Sequence, residues 1–226
     1  ALFGMLKWLM PLAPEALNCM RPVIITLGVI GVIYAAIMAI KQSDIKTTFA
    51  YASISHVGLI AAGLVLLNID TLAGAMVQIV NHSFVAVGLF LCADIIERRL
   101  NTRNLYELGG LATQAPKFAF WFGSIVFAGV SVPLTSGFIG EFLLFMGIFH
   151  SQYEHKVLYM IIAGLGIILG AIYMLNMVQK VAYGEKQSLA THDLTWNEQI
   201  SLYALILIIL VLGVYPNMIL ELLPNH

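Results

Sequence analysis

Charge is what this sequence has least of. Eleven Lys or Arg and 12 Asp or Glu make up 10% of its 226 residues, and the formal net charge is −1. A soluble domain carries roughly 25% charged residues. With 60% hydrophobic residues and a mean hydropathy of +0.91, the chain cannot keep a wet surface, so its solvent is the bilayer. No basic stripe is present, which excludes nucleic acid as a partner. Cysteine is nearly absent: Cys19 and Cys92 stand far apart, with no CxxC. An iron–sulfur cluster takes about four thiolates, so this chain alone cannot hold one, and both cysteines read as free thiols. A signal-peptide layout of charged, apolar and small-residue regions is also missing. The opening ALFGMLKWLM reads instead as the tail of an apolar helix already under way, and the chain is expected to be the C-terminal part of a longer one.

Apolar length is what the sequence has most of. Crossing the hydrocarbon takes about 20 mostly apolar residues. Six segments qualify, at about 22–41, 47–67, 71–97, 116–150, 157–182 and 200–222, with residues 1–10 as the end of a seventh. Helices are the default, because strands would need barrel closure and a period-2 alternation that is absent. The expectation is an all-α polytopic membrane protein in which residues 1–226 form a single transmembrane domain. Cytoplasmic loops carry the excess of Lys and Arg. Eight of the 11 (Lys41, Lys46, Arg98, Arg99, Arg103, Lys117, Lys180, Lys186) fall on one side, leaving Lys7, Arg21 and Lys156 on the other. The richer side is therefore read as cytoplasmic, which puts the C-terminus on the opposite side.

Segment 116–150 is too long for one straight span. At about 1.5 Å per residue it would run about 50 Å, against a core of about 30 Å. Within it lies VPLTSGFIGEFLLF, residues 132–145. Pro133 removes an amide donor and clashes with the preceding turn. Thr135 and Ser136 hydroxyls can satisfy freed backbone groups, and Gly137 and Gly140 add conformational freedom. Two half-helices are expected to meet near 133–137, with Glu141 beginning the second. A helix N-terminus favours an anion there while burial disfavours it, so the opposed effects make Glu141 a group able to exchange a proton. Intramembrane carboxylates are rare and costly, which favours function over simple capping. Helices interrupted by Gly and Pro recur at ion sites of transporters.

Two intramembrane histidines join it. His56 lies in AYASISHVGL and shares a helix face with Ser53; His82 lies in VQIVNHSFVAVGL between Asn81 and Ser83. Histidine changes charge nearest physiological pH. Each also reads as an interhelical hydrogen-bonding group, or the two as axial ligands of a b-type haem. Lys46, in SDIKTT, is either an interfacial anchor or part of proton uptake. Tyr173 and Lys180 on the fifth span are open in the same way.

SDIKTTFAYASISHVGLI, VQIVNHSFVAVGLFL, LNTRNLYELGGL and VPLTSGFIGEFLLF, in this order, resemble the proton-pumping antiporter-like subunits of respiratory complex I, nearest to the M type. The resemblance runs over essentially the whole chain, and the same superfamily includes Mrp-type cation/proton antiporters and membrane-bound hydrogenase subunits. It implies an inverted-repeat fold, of which this chain is the second repeat, with segment 116–150 as its discontinuous helix. It implies that Glu141, His82, His56 and Lys46 serve proton translocation, with Glu141 as the terminal group. It implies neighbouring membrane subunits as partners, and no cofactor in this chain. NADH, FMN, iron–sulfur clusters and quinone would sit in partner subunits, in a bacterial cytoplasmic membrane. The family's upstream charged residues are missing here, so this stretch alone is not expected to pump. Many members carry Gly where this chain has Leu134, and Gly is common where it has Ser83. Readings kept beside this one are a sodium or cation/proton antiporter subunit, a haem protein, and a purely structural bundle.

Overall fold

The computed structural model describes residues 2–184 and 192–221; Lys186 lies outside the described residues. An apolar stretch opens it: α1 (Leu2–Gly4) passes through a π-turn (Met5–Leu9) into α2 (Met10–Leu12). Long helices follow, α3 (Pro14–Lys41), α4 (Ile45–Leu64) and α5 (Ile69–Leu100). The short α6 (Leu111–Gln114) leads into α7 (Pro116–Gly129) and α8 (Ser136–His150). Last come α9 (Lys156–Tyr183), α10 (Trp196–Val214) and α11 (Asn217–Leu220). Among the described residues five helices are long and apolar enough to cross a membrane: α3, α4, α5, α9 and α10. The pair α7 and α8 supplies the sixth span, interrupted as its length requires.

Local chemistry sets most of the boundaries. Asp44 caps α4 by accepting from the Thr47 amide (2.8 Å), and Asn68 caps α5 by accepting from the Thr71 amide (2.8 Å). Asn101, left-handed at φ 51°, ends α5. Thr195 and Glu198 form a capping box on α10. The first amides of α7 are met from across the bundle, where Asp193 accepts from Lys117 N (3.1 Å) and Phe118 N (3.0 Å). Two expected ends move. The first long helix begins at Pro14, not near residue 22, because proline suits the first helical turn and Pro22 is carried inside the helix. The last long helix stops at Val214 because Pro216 restricts Tyr215, and α11 restarts beyond it.

Close helix crossings fix the arrangement. At the α3–α4 crossing, a methyl group on Gly28 would lie 2.7 Å from the Gly58 carbonyl oxygen, and the reverse holds for Gly58. Helix α8 lies against α5 through Gly140 and Gly147, meeting Gly74 and Thr71. Asn68 reinforces that contact by donating from Nδ2 to the Gly147 carbonyl (2.6 Å). The main apolar core gathers Phe49 of α4, Phe122 and Ile125 of α7 and Met174 of α9. Outward faces remain apolar: Leu27, Ile30, Phe120 and Ile168 are all exposed, as a bilayer-facing surface demands.

Candidate functional site

The link between α7 and α8 spans residues 130–135 and is internally satisfied. Ser131 is left-handed (φ 58°), its amide donates to the Ala128 carbonyl, and the Val132 amide donates to the Phe127 carbonyl. That pair of bonds is a Schellman closure of α7, built on serine where glycine is usual. Thr135 donates from both its amide and its hydroxyl to the Val132 carbonyl. Gly213 of α10 packs on the Leu134–Thr135 backbone, and Ser131 and Thr135 are buried while Val132, Pro133 and Leu134 are exposed, so the interruption is covered by protein on one side only.

Of the residues expected at the break, Pro133 and Thr135 lie in it, whereas Ser136, Gly137 and Gly140 lie in the first turns of α8. Thr135, extended at φ −87° and ψ 151°, is the N-cap, so the helix starts at Ser136. The glycines serve packing. A methyl group on Gly137 would lie 2.7 Å from Asn81 Nδ2, and one on Gly140 would lie 3.0 Å from Gln78 Oε1. Glu141 is consequently in the second turn of α8 and not at its start. Direct amide capping of its carboxylate is replaced by side chains from elsewhere.

Those side chains form one file. Ser131 Oγ donates to Glu141 Oε1 (2.8 Å), and Gln78 Nε2 donates to the same oxygen (3.3 Å). Asn81 Nδ2 donates to Gln78 Oε1 (3.4 Å), and Ser136 Oγ donates to Asn81 Oδ1 (2.9 Å). Gln78 and Asn81 are three apart on α5 and share its face toward α8. Glu141 is 8% exposed, and Gln78, Asn81 and Ser136 are buried with it. Buried polar groups need such partners, and here two helices and the break supply them.

Two small cavities flank the file. One is lined by Ser55, His56, Glu141 and Tyr173; the other by Ser53, His56, Gln78, Asn81 and His82. His56 lines both. The two imidazole centroids are 5.9 Å apart with planes inclined at 34°. Each cavity amounts to about 20 Å³, enough for a water and far too small for a haem macrocycle between the rings. The arrangement is a run of exchangeable groups, His82, His56 and Glu141, on three helices, with room for water among them. Among the described residues no group of three or more His, Cys, Asp or Glu side chains is placed to hold a metal ion.

Lys46 lies apart from this set. Its ammonium meets Glu97 (2.5 Å) at the end of the bundle, and it lines neither cavity. Sequence reading missed Gln78 and Ser131 as members of the site and left Tyr173 open. The signal for Gln78 was its spacing, three before Asn81 and four before His82 on an otherwise apolar helix. Ser131 carried no signal before the position of the break was known.

Comparison with known proteins shows the family and the fold. Residues 1–168 match the family described as "NADH:quinone oxidoreductase/Mrp antiporter, TM". The chain is 38% identical to NADH-quinone oxidoreductase subunit M of Rickettsia bellii, over 97% of this chain and 44% of that one. It is 34% identical to NADH-ubiquinone oxidoreductase chain 4 of Arabidopsis thaliana, again over 97% and 44%. The chain thus spans less than half the length of these curated relatives. Among solved structures, respiratory complex I from Thermus thermophilus matches at TM-score 0.88 and 29% identity, over 96% of this chain and 46% of that one. An Mrp complex from Dietzia shares the fold at TM-score 0.80 and 18% identity, over 89% and 45%. On the extent of the family match and on these relatives, the chain belongs to the NADH:quinone oxidoreductase/Mrp antiporter transmembrane family.

Proposed function

We propose that this chain is the proton-translocating part of a complex I membrane subunit, relaying protons along His82, His56 and Glu141. The observation that carries the reading is the placement of Glu141. A buried carboxylate sits beside a helix break, bonded to Ser131 and Gln78, on a cavity it shares with His56. An isolated structural carboxylate would not require a water-sized space leading to a second titratable group. Redox chemistry belongs to partner subunits that carry NADH, FMN, iron–sulfur clusters and quinone, and neighbouring membrane subunits flank this one. The whole chain is one transmembrane unit of a bacterial cytoplasmic membrane, with its basic loops in the cytoplasm and its C-terminus opposite. The test is Glu141→Gln in the assembled complex, in vesicles energised with NADH in sodium-free medium. Gln keeps the shape and one hydrogen-bond acceptor but cannot exchange a proton at neutral pH. The expected result is proton uptake below half of normal with the complex fully assembled. Undiminished uptake would leave only a structural role, and uptake that depends on added sodium would favour cation/proton antiport.

A further inference from the structure

We infer that Tyr173 relays protons between Glu141 and a third polar cavity at the basic-loop end of the bundle, an inference that rests on the function proposed above. Tyr173 is on α9, and its side chain is 2% exposed. Its hydroxyl oxygen is buried without a hydrogen-bond partner. A buried phenol ordinarily has one, so this hydroxyl is left with its donor and acceptor capacity unused. Tyr173 lines two cavities. The first is the one lined by His56 and Glu141; the third is lined by Gln42, Thr48, Asn176 and Lys180. Tyr173 is the one residue common to both linings.

Direction follows from helix geometry. Side chains on a helix lean toward its N-terminus, and a methyl group on Gly170, one turn earlier, would lie 3.7 Å from the Tyr173 hydroxyl. The hydroxyl is therefore carried toward the Glu141 cavity, and the missing side chain of Gly170 keeps the space before it open. The third cavity has about 10 Å³, close to the room one water needs. Toward the loops, Lys180 rests its ammonium 4.4 Å from the centre of the Tyr106 ring. A phenol has one O–H to donate and lone pairs to accept with. It gives its proton to a water on the Glu141 side as its oxygen takes one from a water on the Asn176 side. One O–H bond breaks and one forms, and the phenol stays neutral throughout.

The test is Tyr173→Phe in the assembled complex, with protons taken up per NADH oxidised as the readout. Phe keeps the ring and its place in the core, so assembly and thermal midpoint should hold while uptake per NADH falls below half. Incorporating 3-fluorotyrosine at position 173 returns the hydroxyl and should restore uptake, which a packing role would not require. Gly170→Leu, with Tyr173 intact, fills the space before the hydroxyl and should give the same loss. Normal uptake in Tyr173→Phe or in Gly170→Leu, where Glu141→Gln lowers it below half, overturns the relay and leaves the Glu141 reading standing. Normal uptake in Glu141→Gln overturns both.

Discussion

Leu134 holds a backbone conformation that leucine disfavours. Its φ is 81° while its side chain is 70% exposed, so little packing compensates for the strain. A left-handed non-glycine residue costs roughly 1–2 kcal/mol, against roughly 0.5–1 kcal/mol of extra chain entropy lost when glycine is ordered. The balance favours glycine. Leu134→Gly should raise the thermal midpoint of the detergent-solubilised protein, by a net contribution of up to about 1.5 kcal/mol. A lowered midpoint would mean that surrounding backbone, notably at Gly213, depends on the leucine. Ser131 is different although it too is left-handed. Its strained backbone sends the hydroxyl to Glu141, so there the conformation places a polar partner that glycine could not supply.

At the scale of elements, the interruption of 116–150 was legible because length and Pro133 both demand it. Its position was not. Small polar residues after the proline suggested a break at 133–137, yet α7 ends earlier, at a Schellman turn that Ser131 forms by backbone bonds. Ser136, Gly137 and Gly140 are small for a tertiary reason, the approach of α5, which no local pattern encodes. The partners of Glu141 were hidden for the same cause, since Gln78 acts across two helices. His56 and His82 were each visible as polar residues in apolar helices, but their 5.9 Å ring contact depends on the α4–α5 packing. The α5–α8 packing can be tested on glycines of opposite surroundings. A methyl group on Gly74 would lie 2.6 Å from Leu144 N and 2.8 Å from Gly140 O, backbone atoms that cannot turn aside. Gly74→Ala should force α8 off α5, destabilising by roughly 1–3 kcal/mol and cutting proton uptake by loosening Gln78 from Glu141. Gly31, with nothing within 4 Å of such a methyl, should gain roughly 0.5–1 kcal/mol as alanine. Thermal midpoints of the two variants should move in opposite directions; movement together would show that the α5–α8 contact has slack.

At the scale of the whole molecule, the two ends of the bundle differ in kind. One is stitched by charge: Lys46 to Glu97 (2.5 Å), Arg103 to Asp44 (3.3 Å), Arg99 to Glu198, and Asp193 onto the first amides of α7. The other has His150 against Asp70 (2.9 Å) and Lys156 donating to the Phe149 carbonyl (2.9 Å). Exposed ion pairs contribute little stability each, roughly 0–1 kcal/mol. The concentration of cations at one end therefore matters more for orientation than for strength. Single cysteines can read that orientation directly. Cys92 is buried and can stay, whereas Cys19 is exposed and must first be replaced. Tyr106→Cys marks the basic end and Glu154→Cys the other, both at exposed positions. A membrane-impermeant maleimide should label Tyr106→Cys in inverted vesicles alone and Glu154→Cys in right-side-out vesicles alone. The outcome bears on more than topology, because the Asn176 and Lys180 cavity opens at the basic end. With the expected pattern, Tyr173 stands on the uptake side of Glu141. With labelling reversed, the same hydroxyl would lie on the release side, and the file would run from the histidines through Glu141 and out past Tyr173.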